Sequence, residues 1–464
     1  MLNPWLANKL ALIPNSWPED VSLSLIVETA PGLEQLVQTQ LGEIAGVRVG
    51  RRARNYIEAV VPLPFIRRVS NLTGVFMVHY NMPQRIMQFE PPLRPTLSLP
   101  FPDQMVTRFD PLMGYVTIDD VVVPRKLIGP DMLLPFSPMR VLARYPLGEY
   151  EFIPTIRSRD VLLDVPTTYT GHGVTVAVLD TGWAPLISIS RGKALSTCST
   201  DPQPLDGHGH GSWVNSAAVG SRDVGLLGIC LGVAPEANLV SIKVLNGVFG
   251  FGSTMDIIAG IERAVAEGAR VINMSLGSEE CQGGCLLCPN CTTVRAYSRE
   301  GVFFTIACGN SGPNGWTIGC PGCSPEGISV GSVSLTDYPQ PAYFSGRGPQ
   351  NPANADIMEM NEFNRKPDVL SAGGGRAVAG SKPDELIYSG EVGWMRGLYS
   401  GLPDPHDGFH GTSQATPAVA GLVACLLEGG RIATPDDFKA VCSRKGHAKT
   451  VDAGWGVVKL NWFL

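Results

Sequence analysis

The chain has 464 residues, a formal net charge of −6 and a hydrophobic fraction of 44%. These values exclude a disordered or fibrous chain and leave room for two or three domains around one large core. The acidic balance argues against nucleic acid as a partner, and Arg48, Arg51, Arg52, Arg54, Arg67 and Arg68 read as solvated edges. No apolar run is long enough to span a bilayer, and residues 1–17 lack a basic stretch followed by an apolar one. The expectation is a cytosolic protein with no membrane partner, or a secreted one if a leader has been removed.

In chain order, residues 21–27 read as a strand. Pro31 opens a helix with Leu33, Leu36, Val37, Leu41 and Ile44 on one face, and Gly46 closes it. Strands are predicted at 47–53 and 56–61, a second helix at 65–72 and a last strand at 75–80. This βαββαβ order defines a small α+β, ferredoxin-like domain over residues 1–82. Residues 83–148 are rich in proline and read as a connector with short strands at 115–118 and 121–123.

From residue 149 to 464 the pattern changes. Apolar strands at 174–179, 238–244, 271–274, 302–307 and 328–333 alternate with helical stretches such as 256–266. The predicted class is α/β, a parallel sheet with helices on both faces.

Three motifs in this last region carry chemistry. Asp180-Thr181-Gly182 places a carboxylate at the carboxyl end of a buried strand, where active sites of parallel sheets collect. An aspartic-protease reading needs two such carboxylates, and the triplet occurs once. His210, in Gly209-His210-Gly211-Ser212, opens a helical run at 213–219 and can shuttle protons near neutrality. His208 competes with it for that role. Ser413, in Gly411-Thr412-Ser413-Gln414-Ala415-Thr416-Pro417, precedes a long apolar run and sits at a helix mouth, where backbone N–H groups favour negative charge. A simple helix cap is the competing explanation for that serine.

Together, in this order, the three blocks resemble those of the subtilisin-like serine peptidases, the subtilases. The resemblance runs over about residues 149–464 and implies the subtilisin-like α/β fold. It implies that Asp180 orients His210, that His210 is the general base, and that Ser413 is the nucleophile of an endopeptidase. Ile306-Ala307-Cys308-Gly309-Asn310 resembles the block holding the oxyanion asparagine, here Asn310. For this family such a donor is worth about 3 kcal/mol of barrier. Ser275-Leu276-Gly277 and Gly250-Phe251-Gly252 resemble the two edges that bind a polypeptide substrate in extended form. The N-terminal domain resembles the family's inhibitory propeptide, which implies latency through an intramolecular inhibitor. Trp183-Ala184-Pro185 and Ser212 depart from the usual blocks without removing a catalytic group. Acyl transfer to an amine, as in a ligase or macrocyclase, stays open as an alternative. So does a non-cleaving interaction protein on the same scaffold.

Eleven cysteines are many for a reducing compartment, where clustered thiols hold metal more often than they pair. Cys288, Cys291, Cys320 and Cys323 form two Cys-x-x-Cys knuckles with the local spacing of a structural zinc site. Cys281 and Cys285 are alternates or disulfide partners. Disulfides, an iron–sulfur centre and unbonded thiols compete with zinc. Calcium is implied by the family resemblance, with no ligands assigned.

Overall fold

The computed structural model describes residues 1–11, 22–86, 107–110, 115–118, 121–124, 140–144, 150–156, 158–183, 189, 192–220, 232–247, 250–279, 281, 284–334, 337–348, 365–378, 386–391 and 406–464. The N-terminal unit contains α1 (Pro4–Ala11), β1 (Ser22–Thr29), α2 (Glu34–Gly42), β2 (Arg48–Ala53), β3 (Tyr56–Pro62), α3 (Ile66–Ser70) and β4 (Val75–Tyr80). Its four strands form an antiparallel sheet in the order β2-β3-β1-β4.

Alternation of side chains gives this sheet two faces. Leu25 and Val27 of β1 point to α2 and α3, where they meet Val37, Leu41, Ile66 and Val69. Ile26, Ala53 and Tyr56 point the other way and bury Met255 and Ile258. Leu33 and Leu36, expected on the buried face of α2, are 37% and 43% exposed, because the core is narrow and Val37 and Leu41 already fill it.

Strand β5 (Pro83–Ile86) follows. The proline-rich stretch contributes an antiparallel sheet of β6 (Thr107–Asp110), β7 (Tyr115–Ile118) and β8 (Val121–Pro124). β9 (Arg140–Arg144) pairs with β10 (Tyr150–Ile156) and leads to α4 (Ser158–Leu162).

The remaining elements are β11 (Thr175–Asp180), β12 (Gly192–Ser196), α5 (His210–Val219), β13 (Asn238–Lys243), β14 (Phe251–Ser253), α6 (Thr254–Ala266), β15 (Val271–Met274), β16 (Leu276–Gly277), α7 (Pro289–Arg299), β17 (Phe303–Ala307), β18 (Ile328–Val333), β19 (Val369–Ala372), β20 (Leu386–Glu391), β21 (His406–Phe409), α8 (Thr412–Glu428) and α9 (Pro435–Lys445). Seven strands form one parallel sheet in the order β12-β13-β11-β15-β17-β18-β19.

The inner strands are buried along almost their whole length and largely apolar, because helices cover both faces. On one face α5 and α8 bury Trp213, Val214, Ala418, Val419 and Leu422 against Val178, Phe303 and Val330. On the other, Ile257 and Ile261 of α6 and Val294 of α7 pack on Leu179, Ile272 and Phe304. Capping boxes start α6 (Ser253 with Asp256) and α9 (Thr434 with Asp437). No helix among the described residues is long and apolar enough to cross a membrane.

Candidate active site

Asp180 is the last residue of β11, at the carboxyl edge of the central sheet, and is fully buried. Its Oδ1 lies 2.7 Å from His210 Nδ1 and also accepts from the Thr181 N–H at 2.7 Å. A carboxylate only accepts, so Nδ1 carries a proton, and in the neutral ring Nε2 is the acceptor. His210 Nε2 is buried and has no hydrogen-bond partner. His210 is the first residue of α5, behind Gly209, whose φ of +90° lets the chain turn sharply into the helix.

The position of α5 is set by Asp206, whose role the sequence did not reveal. Oδ1 accepts from Thr181 Oγ1 (3.0 Å), His208 N (2.9 Å) and Gly209 N (2.8 Å). Oδ2 accepts from Ser212 N (2.8 Å) and Ser212 Oγ (2.7 Å). Thr181 Oγ1 in turn accepts from Gly211 N at 2.8 Å. One buried carboxylate thus ties the first turn of α5 to the end of β11, and the favourable end of the helix dipole faces it. An acid four residues ahead of His210, in the loop that leads into the predicted helix, is the signal that could have found it.

Ser413 lies in the first turn of α8, where backbone N–H groups have no acceptor within the helix. Its hydroxyl donates to the Ser275 carbonyl at 3.0 Å, and the Ser275 hydroxyl donates back to the Ser413 carbonyl at 3.0 Å. Asn273 Nδ2 supports Ser275 Oγ at 3.1 Å. Asn310, just beyond β17, accepts at Oδ1 from Thr412 N (3.0 Å) and Thr412 Oγ1 (2.8 Å). Both donors fix the amide plane, so the identity of Oδ1 and Nδ2 follows from the bonds rather than from symmetry.

Of the six edge residues expected to bind substrate, Phe251 and Gly252 are in β14, and Leu276 and Gly277 form β16. Gly250 precedes β14 with φ +70°, and Ser275 lies between β15 and β16. Strand β5 occupies the space between these edges and pairs antiparallel with both. Pro83, Gln84 and Arg85 face Ser253, Gly252 and Phe251; Arg85 and Ile86 face Gly277 and Leu276. Because Leu276 follows Ser275, the strand runs in its N-to-C direction toward Ser413. A side chain at Gly252 would place its Cβ 2.1 Å from the Val244 carbonyl, so this edge needs glycine.

A family model, the subtilase family, matches residues 171–456, more than half of the chain. The chain belongs to the subtilases. Serine protease AprX of Bacillus subtilis is 33% identical over 297 residues, 59% of this chain and 61% of AprX. Subtilisin E of the same organism is 33% identical over 265 residues, 56% of each. Pyrolysin of Pyrococcus furiosus is 32% identical over 239 residues, 45% of this subtilase and 15% of pyrolysin. This subtilase therefore spans less than two thirds of the length of these curated relatives. A crystal structure of a cold adapted subtilisin-like serine proteinase aligns with TM-score 0.47 and 25% identity, covering 66% of this chain and 96% of that one.

Next to β16, this subtilase buries a knot of thiols. The six clustered cysteines converge, and none of the ten described cysteines is in a disulfide. They do not form the single tetrad Cys288, Cys291, Cys320 and Cys323 expected from spacing. Two groups of four close up instead: Cys281, Cys285, Cys291 and Cys323, and Cys281, Cys288, Cys291 and Cys320. Cys281 and Cys291 belong to both groups. Cys308 lies in the same apolar cluster but outside both tetrads, and burial pushes its thiol up to about 12.

These thiol sets are the only convergent groups of three or more His, Cys, Asp or Glu among the described residues. Soft thiolates fit zinc and do not fit calcium, which takes oxygen ligands.

Proposed function

We propose that this subtilase is a serine endopeptidase held latent by its own N-terminal unit. The observation that carries the reading is strand β5. It fills the cleft between β14 and β16 as an extended polypeptide and runs toward Ser413. Main-chain ladders on both sides are how a sheet edge captures any extended peptide regardless of side chains.

The proposed chemistry assigns each of these groups a role. Ser413 Oγ leaves the Ser275 carbonyl for His210 Nε2, gives up its proton there and attacks the scissile carbonyl. Asp180 holds the His210 tautomer and stabilises the imidazolium that forms. Asn310 Nδ2, oriented by Thr412 on the opposite side of the amide, and the Ser413 N–H receive the oxyanion. His210 then protonates the leaving amine, and water clears the acyl-enzyme.

Latency is supported by how the N-terminal unit is fastened. Arg51 reaches buried Asp256 in the first turn of α6 and donates to the Thr197 carbonyl at 2.5 Å. Asn81 Oδ1 accepts from Met255 N at 3.0 Å, and Gln84 Nε2 donates to Thr254 Oγ1 at 3.2 Å. These contacts lie directly beside β14, so the fastening and the blocked cleft are one structure.

The test is a fluorophosphonate probe on the chain with and without limited proteolysis of its N-terminal part. The expected result is labelling that strengthens after proteolysis and is absent from Ser413→Ala. Labelling that survives Ser413→Ala would refute the nucleophile, and equal labelling before and after proteolysis would refute latency.

A further inference from the structure

The loop between β16 and α7 lacks an ordinary core. The apolar cluster beneath it consists of seven cysteines and Ile318. Burying so many thiols where Leu or Val would pack better calls for a chemical reason. Their spacing supplies one. Cys281 and Cys291 approach to 3.7 Å, Cys291 and Cys320 to 3.7 Å, Cys291 and Cys323 to 3.9 Å, and Cys288 and Cys320 to 3.3 Å. A tetrahedral zinc with Zn–S of 2.3 Å sets its sulfurs about 3.8 Å apart. These separations are far too long for a disulfide bond.

The two tetrads share exactly two members, Cys281 and Cys291. We propose that the six thiols hold a binuclear zinc cluster in which Cys281 and Cys291 bridge both ions. Cys285 and Cys323 complete one tetrahedron, and Cys288 and Cys320 complete the other. Every thiol then has a ligand role, whereas a single ion leaves two of them buried without one. Loading two dications releases six thiol protons and leaves the core dianionic. Cys288 is the N-cap of α7 and Cys291 lies in its first turn, so the positive end of that helix faces the charge. Arg295, one turn on, donates to the Cys285 carbonyl at 3.1 Å.

The cluster would hold the substrate cleft in shape. Cys320 and Ser278 exchange backbone hydrogen bonds of 2.8 Å, which ties one metal ligand to the residue after β16. This proposal does not depend on peptidase activity, and its test does not measure it.

The full chain, prepared with zinc and without added thiols, is assayed for metal by mass spectrometry and for cysteines that react with a thiol reagent in denaturant before and after chelation. The expected result is two zinc ions per chain, with six additional thiols exposed by chelation. After exchange to cadmium-113, two resonances in the tetrathiolate range, coupled through shared sulfur, are expected. Cys323→Ser should displace chiefly one resonance and Cys291→Ser both. If either variant fails to fold, the wild-type stoichiometry and the cadmium coupling still decide. One ion per chain, two uncoupled resonances, a mass showing disulfides, acid-labile sulfide with iron, or six reactive thiols without metal would each overturn the proposal.

Discussion

Replacing Asp206 by asparagine tests whether one carboxylate places the candidate base. Asp206 is 4% exposed and accepts five hydrogen bonds, three on Oδ1 and two on Oδ2. With the amide NH2 in the place of Oδ2, it faces the Ser212 N–H and hydroxyl. The hydroxyl can rotate to accept, but the N–H cannot, so one buried donor is orphaned at about 1–3 kcal/mol. The three bonds to Oδ1 lose their charge assistance, at roughly 0.5 kcal/mol each. The expected loss is about 3 kcal/mol, enough to lower the thermal midpoint by several degrees. Because α5 starts at His210, the looser turn should lower kcat more than it raises KM.

Calorimetry and steady-state kinetics with a peptide substrate on the processed enzyme provide both readouts. A wild-type midpoint together with an unchanged kcat would refute the role assigned to Asp206.

Two further predictions concern the latch and a buried amine. Arg51→Ala removes charge-assisted bonds to Asp256 worth about 1.5–3 kcal/mol, while Asp256 keeps its bonds from Ser199 N and Ser253 N. Activity should appear about ten- to a hundredfold faster during incubation; an unchanged lag would show that this contact does not hold the N-terminal unit. Lys439 is buried near Lys366, and burial lowers its pKa from 10.5 to about 7. Between those values the unfolded chain holds a proton that the folded chain has released, so stability rises with pH, by about 1.4 kcal/mol per unit. Below about pH 7 both states are charged and the burial penalty is fully present. Lys439→Met should therefore raise the thermal midpoint at pH 6 by more than at pH 9, and an equal shift at both would refute the buried-cation account.

The motifs were legible because their geometry is local. Asp180, His210 and Ser413 each sit where a strand ends or a helix begins, and glycines mark each place. Asp206 was not legible, because it acts on backbone N–H groups that its sequence neighbours share with any turn. Leu33 and Leu36 fit the helical period, but a four-stranded sheet is too narrow to cover them. Strand β5 could not be read from its own residues. Four residues with a proline at the front have no strand pattern, and the strand exists only because two glycine-containing edges well over a hundred residues away accept its backbone. The thiol knuckles were legible as pairs. Which thiols come together depends on how α7 packs against the loops that carry the other cysteines, and spacing does not encode that packing.

Helix α7 also joins the N-terminal unit to the thiol knot. Tyr56 of the N-terminal sheet hydrogen-bonds Thr292 Oγ1 at 2.8 Å, one residue beyond Cys291, and Arg54 lies over the Tyr297 ring at 4.6 Å. Helix α7 is therefore a dock for the N-terminal unit on its surface and a support for two of the six thiols at its start. Cys320, whose sulfur approaches both of those thiols, is hydrogen-bonded through its backbone to Ser278, the residue after β16. If β16 binds substrate as proposed, a disturbance of the knot should reach that edge and the dock together, through backbone bonds and one helix. Disturbing the knot should accordingly impair substrate binding and also weaken latency.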